Sequence, residues 1–352
     1  VNAEKQAVNA SFKDGIGNIE INGVISTGSG HKGTVIINTT DKAQSNEEIT
    51  LKDLAGVTKD LWDLLANKNY YLEAASGAAS TVGSKFTGAG SFTVLVMNDS
   101  AEALVGKNVV LVLTNGLAIT ASSKVNAVTV TGSVAYGGNK SAGVGINTVV
   151  NNTKVNAGLG DGANVNAGGD VTVSADSDMD LVSILVAAAV SSARGGANGK
   201  QFAGDGVVNI FVNNNKTTAA IGQNVTINAT GDIKVTSASK LGYTGIVGGL
   251  AAGGGHGVGA SVSVVVINAK TLSEIGKGAN ITARNLIVSA DAKETIVAVI
   301  VNGAAATGTN GVAAAVSPAV NVIKSETIAK VGTGTYTLTG AMNVTAKDIT
   351  KI

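Results

Sequence analysis

The chain has 352 residues, of which 44% are hydrophobic but only 3% aromatic, with 47 glycines, one proline and a net charge of +1. That apolar content excludes simple disorder, the lone proline excludes collagen-like and linker-like chains, and the core must be built from Val, Ile, Ala and Leu. Arg194 and Arg284 are the only arginines and the lysines form no cluster, which speaks against nucleic-acid binding, while zero cysteines excludes disulfides and thiolate metal sites.

The chain opens VNAEKQAVNA, with neither an initiator methionine nor a signal-peptide pattern, so a processed or excised segment is expected. Residues 1–45 read as N-terminal coils of the repeating architecture described below. Residues 46–76 break that pattern. Thr50 and Asp53 make a capping-box signature, and Val57, Leu61, Leu64, Leu65 and Leu72 recur at helical spacing, which predicts a short helical insertion. The whole of 46–92 reads as an aromatic-rich insertion with a return to the main architecture. Trp62, Tyr70 and Tyr71 within it are candidates for partner contact, since Trp and Tyr dominate binding hot spots. The plainer reading is that they anchor the helix to the rest of the molecule.

From 93 to 352 the sequence repeats. ALVGKNV, AGLGDGANV, AAIGQNV, SEIGKGANI and AKVGTGTYTL share Gly106, Gly160, Gly222, Gly276 and Gly332, spaced 54, 62, 54 and 56 apart. After each glycine comes a short strand-like run, then a second such as DVTVSAD or DIKVTSAS, then two longer apolar segments joined by a glycine-rich link. The runs alternate with period two and favour Val, Ile and Thr, so they are strands, and Gly and Asn punctuate them where a chain must turn. A fixed period of this size marks a solenoid. The fold expected is all-β: a right-handed parallel β-helix of roughly 54-residue repeats, each dividing most naturally into two coils, with the helical insertion at about 46–76. Asn108, Asn164, Asn224 and Asn280 follow their glycines by two or four residues and are expected to stack as one amide ladder. The N-x-T sequons at Asn224 and Asn280 are read as part of it.

One stretch imitates a different chemistry. In GLAAGGGHGVGASVSVVV, Gly249 to Val266, Gly255, Gly257 and Ala260 spell the dinucleotide fingerprint, with Glu274 where a ribose-binding acid would lie. The fingerprint needs a helix after its last residue, whereas Ser261–Val266 is an alternating β-branched run. The glycines instead read as a link between two apolar strands. No cofactor is expected. His31 and His256 are the only histidines and lie far apart, so no metal or nucleophilic site is expected either. Asp176, Asp178 and Asp180 alternate on one strand face, which could bind Ca²⁺ or act on a glycan, but charges at a strand end more often mark a solvated corner.

The alternation of A-x-I-G-x-N-V-T-I-x-A-x-G-D-I-x-V-x-A with G-G-x-x-G-x-G-A-x-V-x-V resembles the large filamentous haemagglutinin-like adhesins of Gram-negative bacteria, and within them the leukotoxin-type adhesins. The resemblance covers roughly 93–352. It implies a surface-exposed or secreted solenoid at the bacterial cell surface, exported unfolded by a two-partner or autotransporter route. The expected function is a non-enzymatic rod serving as an adhesin or filament segment, its partner a host-cell or matrix protein or glycan, or further copies of itself in a fibre. A membrane-active, leukotoxin-like toxin segment is the alternative, because strands such as 181–190 and 296–301 are apolar on both faces. A glycan-acting β-helix enzyme ranks last.

Overall fold

The computed structural model describes residues 86–352 apart from 138, 192–200 and 309, together with the backbone of five strands in the first 85 residues. β1 (Val8–Asn9) is followed by a first coil of β2 (Ile16–Ile21), β3 (Val24–Ser26) and β4 (Val35–Lys42) with β5 (Leu72–Ala79). The second coil is β6 (Thr87–Val105), β7 (Val110–Leu113) and β8 (Leu117–Tyr136), and the third is β9 (Lys140–Leu159), β10 (Asn164–Ala167) and β11 (Val171–Ser191). The fourth is β12 (Phe202–Ile221), β13 (Thr226–Ala229) and β14 (Ile233–Gly253), and the fifth β15 (His256–Ile275), β16 (Ala279–Ala283) and β17 (Leu286–Ala306). The sixth is β18 (Val312–Val316) with β19 (Ala319–Val331), then β20 (Gly334–Leu338) and β21 (Met342–Lys351).

Every strand pairs in parallel with its counterpart one coil away, so three sheets run along the stack. The first strand of each coil builds a leading sheet, the second a short sheet, and the third a trailing sheet. This is the all-β, repeat-built architecture of a parallel β-helix. Alternation explains it: along β11, Val171, Val173, Ala175, Met179 and Leu181 are buried while Thr172, Ser174 and Asp176 face outward.

The coil differs from the expected two per repeat. Val171 pairs with Leu117 on one side and with Ile233 on the other, so a whole repeat is a single coil. DVTVSAD and the apolar segment after it are one uninterrupted strand of 21 residues. Nothing between them turns the chain, because the inward alternation passes through both without a break. A coil is therefore about 65 Å across but adds only about 4.8 Å of height, giving a broader and flatter body than two coils per repeat would.

Each trailing strand reverses at a tip and returns as the next leading strand. Toward the tip the two long sheets face each other as a sandwich. At the other end the short sheet closes the coil into a prism, whose core stacks Val105, Leu111, Leu117, Val165, Ile227 and Ile281 with their neighbours. Each buried Val, Leu or Ile contributes about 1.5–3 kcal/mol, which is how a core nearly free of aromatic rings holds the stack.

The insertion falls between two strands that share one row of the trailing sheet. β4 pairs with Leu117–Lys124 of β8 and β5 with Thr129–Tyr136, so both lie in one row and the chain between them leaves and rejoins it. The helix expected over 46–76 is thus corrected at its end, where Leu72 to Ser76 are strand. The edge of β8 offers a row of backbone partners there, and a hydrogen-bonded ladder outweighs helical spacing. The rest of the predicted helix, with Trp62, Tyr70 and Tyr71, lies outside the described residues.

Candidate functional site

The repeat glycines occupy one column at the corner between the leading and short sheets. Gly160, Gly222, Gly276 and Gly332 each donate their N–H to the carbonyl of the residue preceding the glycine one coil back: Val105, Leu159, Ile221 and Ile275. A Cβ on Gly160 would stand 2.5 Å from the carbonyl carbon of Gly106, and one on Gly276 would stand 2.6 Å from that of Gly222. The column is glycine because backbone stacks on backbone there, which gives it a structural role.

The four asparagines do not form one ladder. Asn108 and Asn224 sit in left-handed turns at φ 55° and 53°, in a column shared with Gly162 and Gly278, which also have positive φ. Asn164 and Asn280 fall two residues later, at the start of the short-sheet strands, aligned with Val110 and Thr226. Spacing from the glycine is what separates them: two residues reaches the turn and four reaches the strand. Asn and Gly alternate at the turn because both tolerate the left-handed region. Amide ladders exist elsewhere, as where Asn214 Nδ2 donates to Asn152 Oδ1 (2.9 Å) and Asn152 Nδ2 to Asn98 Oδ1 (2.8 Å).

The stretch resembling a nucleotide loop is a sandwich tip. β14 ends at Gly253 and β15 begins at His256, so Gly254 and Gly255 alone reverse the chain, and the residues after the fingerprint are strand throughout. A Cβ on Gly257 would overlap the carbonyl oxygen of Ala305, so glycine there allows close backbone approach.

Polar residues cross the interior of the sandwich in strips. In one, Asn147 Nδ2 lies 2.7 Å from Ser183 Oγ and 3.0 Å from Thr129 Oγ1, and Asn209 Nδ2 donates to the Tyr243 hydroxyl at 2.7 Å. In another, Asn215 Nδ2 lies within reach of Ser177 and Ser239. Between them lies the apolar compartment of Met179, Leu181, Phe211, Leu241 and Val265. Such strips set register, since a slipped strand would leave amides unpaired in an apolar core.

Three buried carboxylates add to this interior. Burial pushes both Asp99 and Asp205 up to about 6. Glu294 is raised first by burial and then by the charge of Asp348. Ser325 Oγ lies 3.1 Å from Glu294 Oε1 and 2.7 Å from Asp348 Oδ2, so its single proton serves only one of the two. Residue-type reasoning missed these groups. Their signal is positional: Glu294 stands in the column of Val125, Met179 and Leu241, where an apolar residue is due.

Asp176, Asp178 and Asp180 do share the outer face of β11, but the register surrounds Asp178 with cations. Lys240 Nζ lies 2.9 Å from Asp178 Oδ1, and Lys124 Nζ lies 3.8 Å from Asp178 Oδ2. The bond to Asp178 raises the Lys240 ammonium, while partial loss of water contact and then the Asp178 charge raise the Asp176 carboxyl. This is a charge ladder along the stack. Among the described residues no group of three or more His, Asp or Glu side chains is placed to hold a metal. No described helix is long and apolar enough to cross a membrane.

A groove of about 440 Å³ lies on the outer face of the leading sheet. Asn152, Asn214 and Asn268 form one wall column, continued by Lys324, and Lys154, Lys216 and Lys270 form the next, continued by Glu326. Glu102 pairs with Lys154, and Glu326 with Lys270 at 3.0 Å. Lys216 and Lys324 carry no ion pair among the described residues. The arrangement offers amide donors and acceptors beside ammonium groups at the roughly 4.8 Å coil spacing.

Comparison with protein-family models, with curated proteins and with solved structures finds no match to this chain.

Proposed function

We propose that the chain is a non-enzymatic segment of a surface-exposed or secreted bacterial adhesin of the filamentous haemagglutinin type. In this reading the solenoid is a stiff scaffold, and the Asn–Lys groove contacts an acidic glycan of a host cell or its matrix. The supporting observation is the pairing of the two columns, Asn152–Asn214–Asn268 beside Lys154–Lys216–Lys270. Amides pair with sugar hydroxyls and ammonium groups with acidic substituents, and a repeating polymer meets a repeating wall.

The test is retention on immobilised acidic and neutral polysaccharides and on matrix proteins. Retention on the acidic polymer should fall with salt and be lost in Lys154→Glu/Lys216→Glu/Lys270→Glu. Failure to bind any of these surfaces would overturn the adhesive reading. Release of new reducing ends, lost on joint replacement of Asp176, Asp178 and Asp180 by Asn, would establish an enzyme instead.

A further inference from the structure

The outer surface of the sandwich half is apolar, although outward positions on the prism half carry Lys, Asp, Asn and Thr. On the leading sheet the columns run Val94–Thr148–Ile210–Val264–Val320 and Val96–Val150–Val212–Val266–Val322. Beside them lies Phe92–Ile146–Val208–Val262, and nearer the tip Gly88–Ala142–Gly204–Val258–Ala314. Inward positions of the same strands are buried, so these side chains have no partner on their own coil. Phe92 is 64% exposed and Val96 54%. The polar boundary is sharp: the next column toward the prism is Asn98–Asn152–Asn214–Asn268–Lys324.

Five strands about 4.8 Å apart, each with five apolar outward positions about 6.6 Å apart, make a face of roughly 800 Å². An apolar patch on a monomer is ordinarily about 300–600 Å². A stable interface buries about 800 Å² on each partner, so this one face suffices. Its relief is self-complementary as well. The valine and isoleucine columns are ridges, and the column of Gly90 and Gly206 is a trough: a Cβ on Gly206 would meet nothing within 4 Å and one on Gly90 only the Val144 carbonyl oxygen at 3.9 Å, whereas the Phe86 and Phe202 rings lie over Gly88 and Gly204.

We propose that this face of the leading sheet docks against the same face of a second copy of the chain, sheet on sheet about 10 Å apart, by a two-fold that lays the ridges of one copy in the trough of the other. The pairing is independent of the glycan groove. Lipid is the poorer occupant, because immersion would carry Lys140, His256 and the tip backbone into hydrocarbon.

The experiment is sedimentation velocity on the full chain across a concentration series, with and without phosphatidylcholine–phosphatidylserine vesicles. A dimer is expected at micromolar protein. Val212→Lys/Val264→Lys, at two outward positions, should weaken it on the order of 100-fold by burying unpaired charge with an unchanged far-UV spectrum. Val186→Lys/Ile246→Lys, at exposed positions of the trailing sheet, should leave the dimer intact. If the lysine variant misfolds, the cysteine-free chain permits Thr148→Cys, which should cross-link between copies with a short bismaleimide while Asp178→Cys should not. A wild type that stays monomeric at every concentration, a dimer broken only by the trailing-sheet lysines, or vesicle binding by a monomer that the leading-sheet lysines abolish would each overturn the proposal.

Discussion

Asp205 on β12 and Asn302 on β17 face one another across the gap between the two long sheets, and neither the carboxylate nor the amide oxygen accepts a hydrogen bond from another of the described residues. Both converge on the space above Gly249, where a Cβ would overlap Asp205 Oδ2 and stand 2.5 Å from Asn302 Oδ1. Burial raises the Asp205 carboxyl from 3.8 to about 6. Below the lower value both folded and unfolded chains hold the proton. Between the two, the folded chain keeps a proton that the unfolded chain has lost, so stability falls as pH rises, and the loss is complete above 6. Asp205→Asn should remove this term and raise stability at pH 7.5 by about 2 kcal/mol. Asp99, raised likewise, should keep part of the slope. Urea melts at pH 3.5, 5 and 7.5 measure this, and a variant with the pH profile of the wild type would refute it.

The glycines separate into those that are needed and those that are spare. At Gly160 a Cβ would lie 2.5 Å from the Gly106 carbonyl oxygen, in the middle of the corner column. Gly160→Ala should therefore cost about 1–3 kcal/mol through forced backbone displacement. Gly206→Ala meets nothing within 4 Å and should be neutral, or stabilise by about 0.4–1 kcal/mol through the unfolded chain. Chemical denaturation of the two variants in parallel gives the contrast; equal midpoints would contradict the stacking argument.

What the sequence made legible was what repeats locally. The corner glycines, the strand alternation and the strand after the false nucleotide fingerprint all declare themselves within ten residues. Coil size did not, because a 21-residue strand and two shorter strands joined smoothly carry the same alternation. The asparagines misled because a distance in sequence from a glycine does not say whether a residue has reached the turn or the strand. The spacing of Leu72 is helical, whereas the edge of β8 decides its state. The groove was hidden too: Asn152, Lys216 and Lys270 are unremarkable singly and become a site only when the register aligns them.

Phe211 and Tyr243 stack across the sandwich with centroids 4.5 Å apart and planes 10° from parallel, which fixes the Tyr243 hydroxyl beside the Asn209 amide. Tyr243→Phe keeps the stack and removes the acceptor, leaving Asn209 Nδ2 only its 3.3 Å contact to Ser263 Oγ. The expected loss is about 1–2 kcal/mol, read from thermal melts. Adding Asn209→Val should deepen the loss rather than recover it, because Asn209 Oδ1 also accepts from Asn147 Nδ2 at 3.1 Å and Ser183 Oγ at 3.0 Å, and the second change removes that acceptor. A double variant worse than the sum of the singles would show that the strip holds register by more than this bond.

Glu294 offers the converse test, since it replaces an apolar residue in a core column. Val125, Met179 and Leu241 stack above it, and its oxygens accept from the hydroxyls of Ser325 and Thr350, each at 3.1 Å, with Asp348 adding like charge beside it. A buried carboxylate without a cation is a net cost that a well-packed apolar side chain avoids. Glu294→Leu should extend the column and stabilise the fold at pH 7 by about 1–2 kcal/mol. The upward shift predicts that this advantage shrinks in acid, where the wild-type carboxyl takes up a proton and its burial cost disappears. Denaturation midpoints at pH 4 and pH 7 decide the matter. A variant less stable than the wild type at pH 7 would mean that the Ser325 and Thr350 bonds outweigh the burial of the charge.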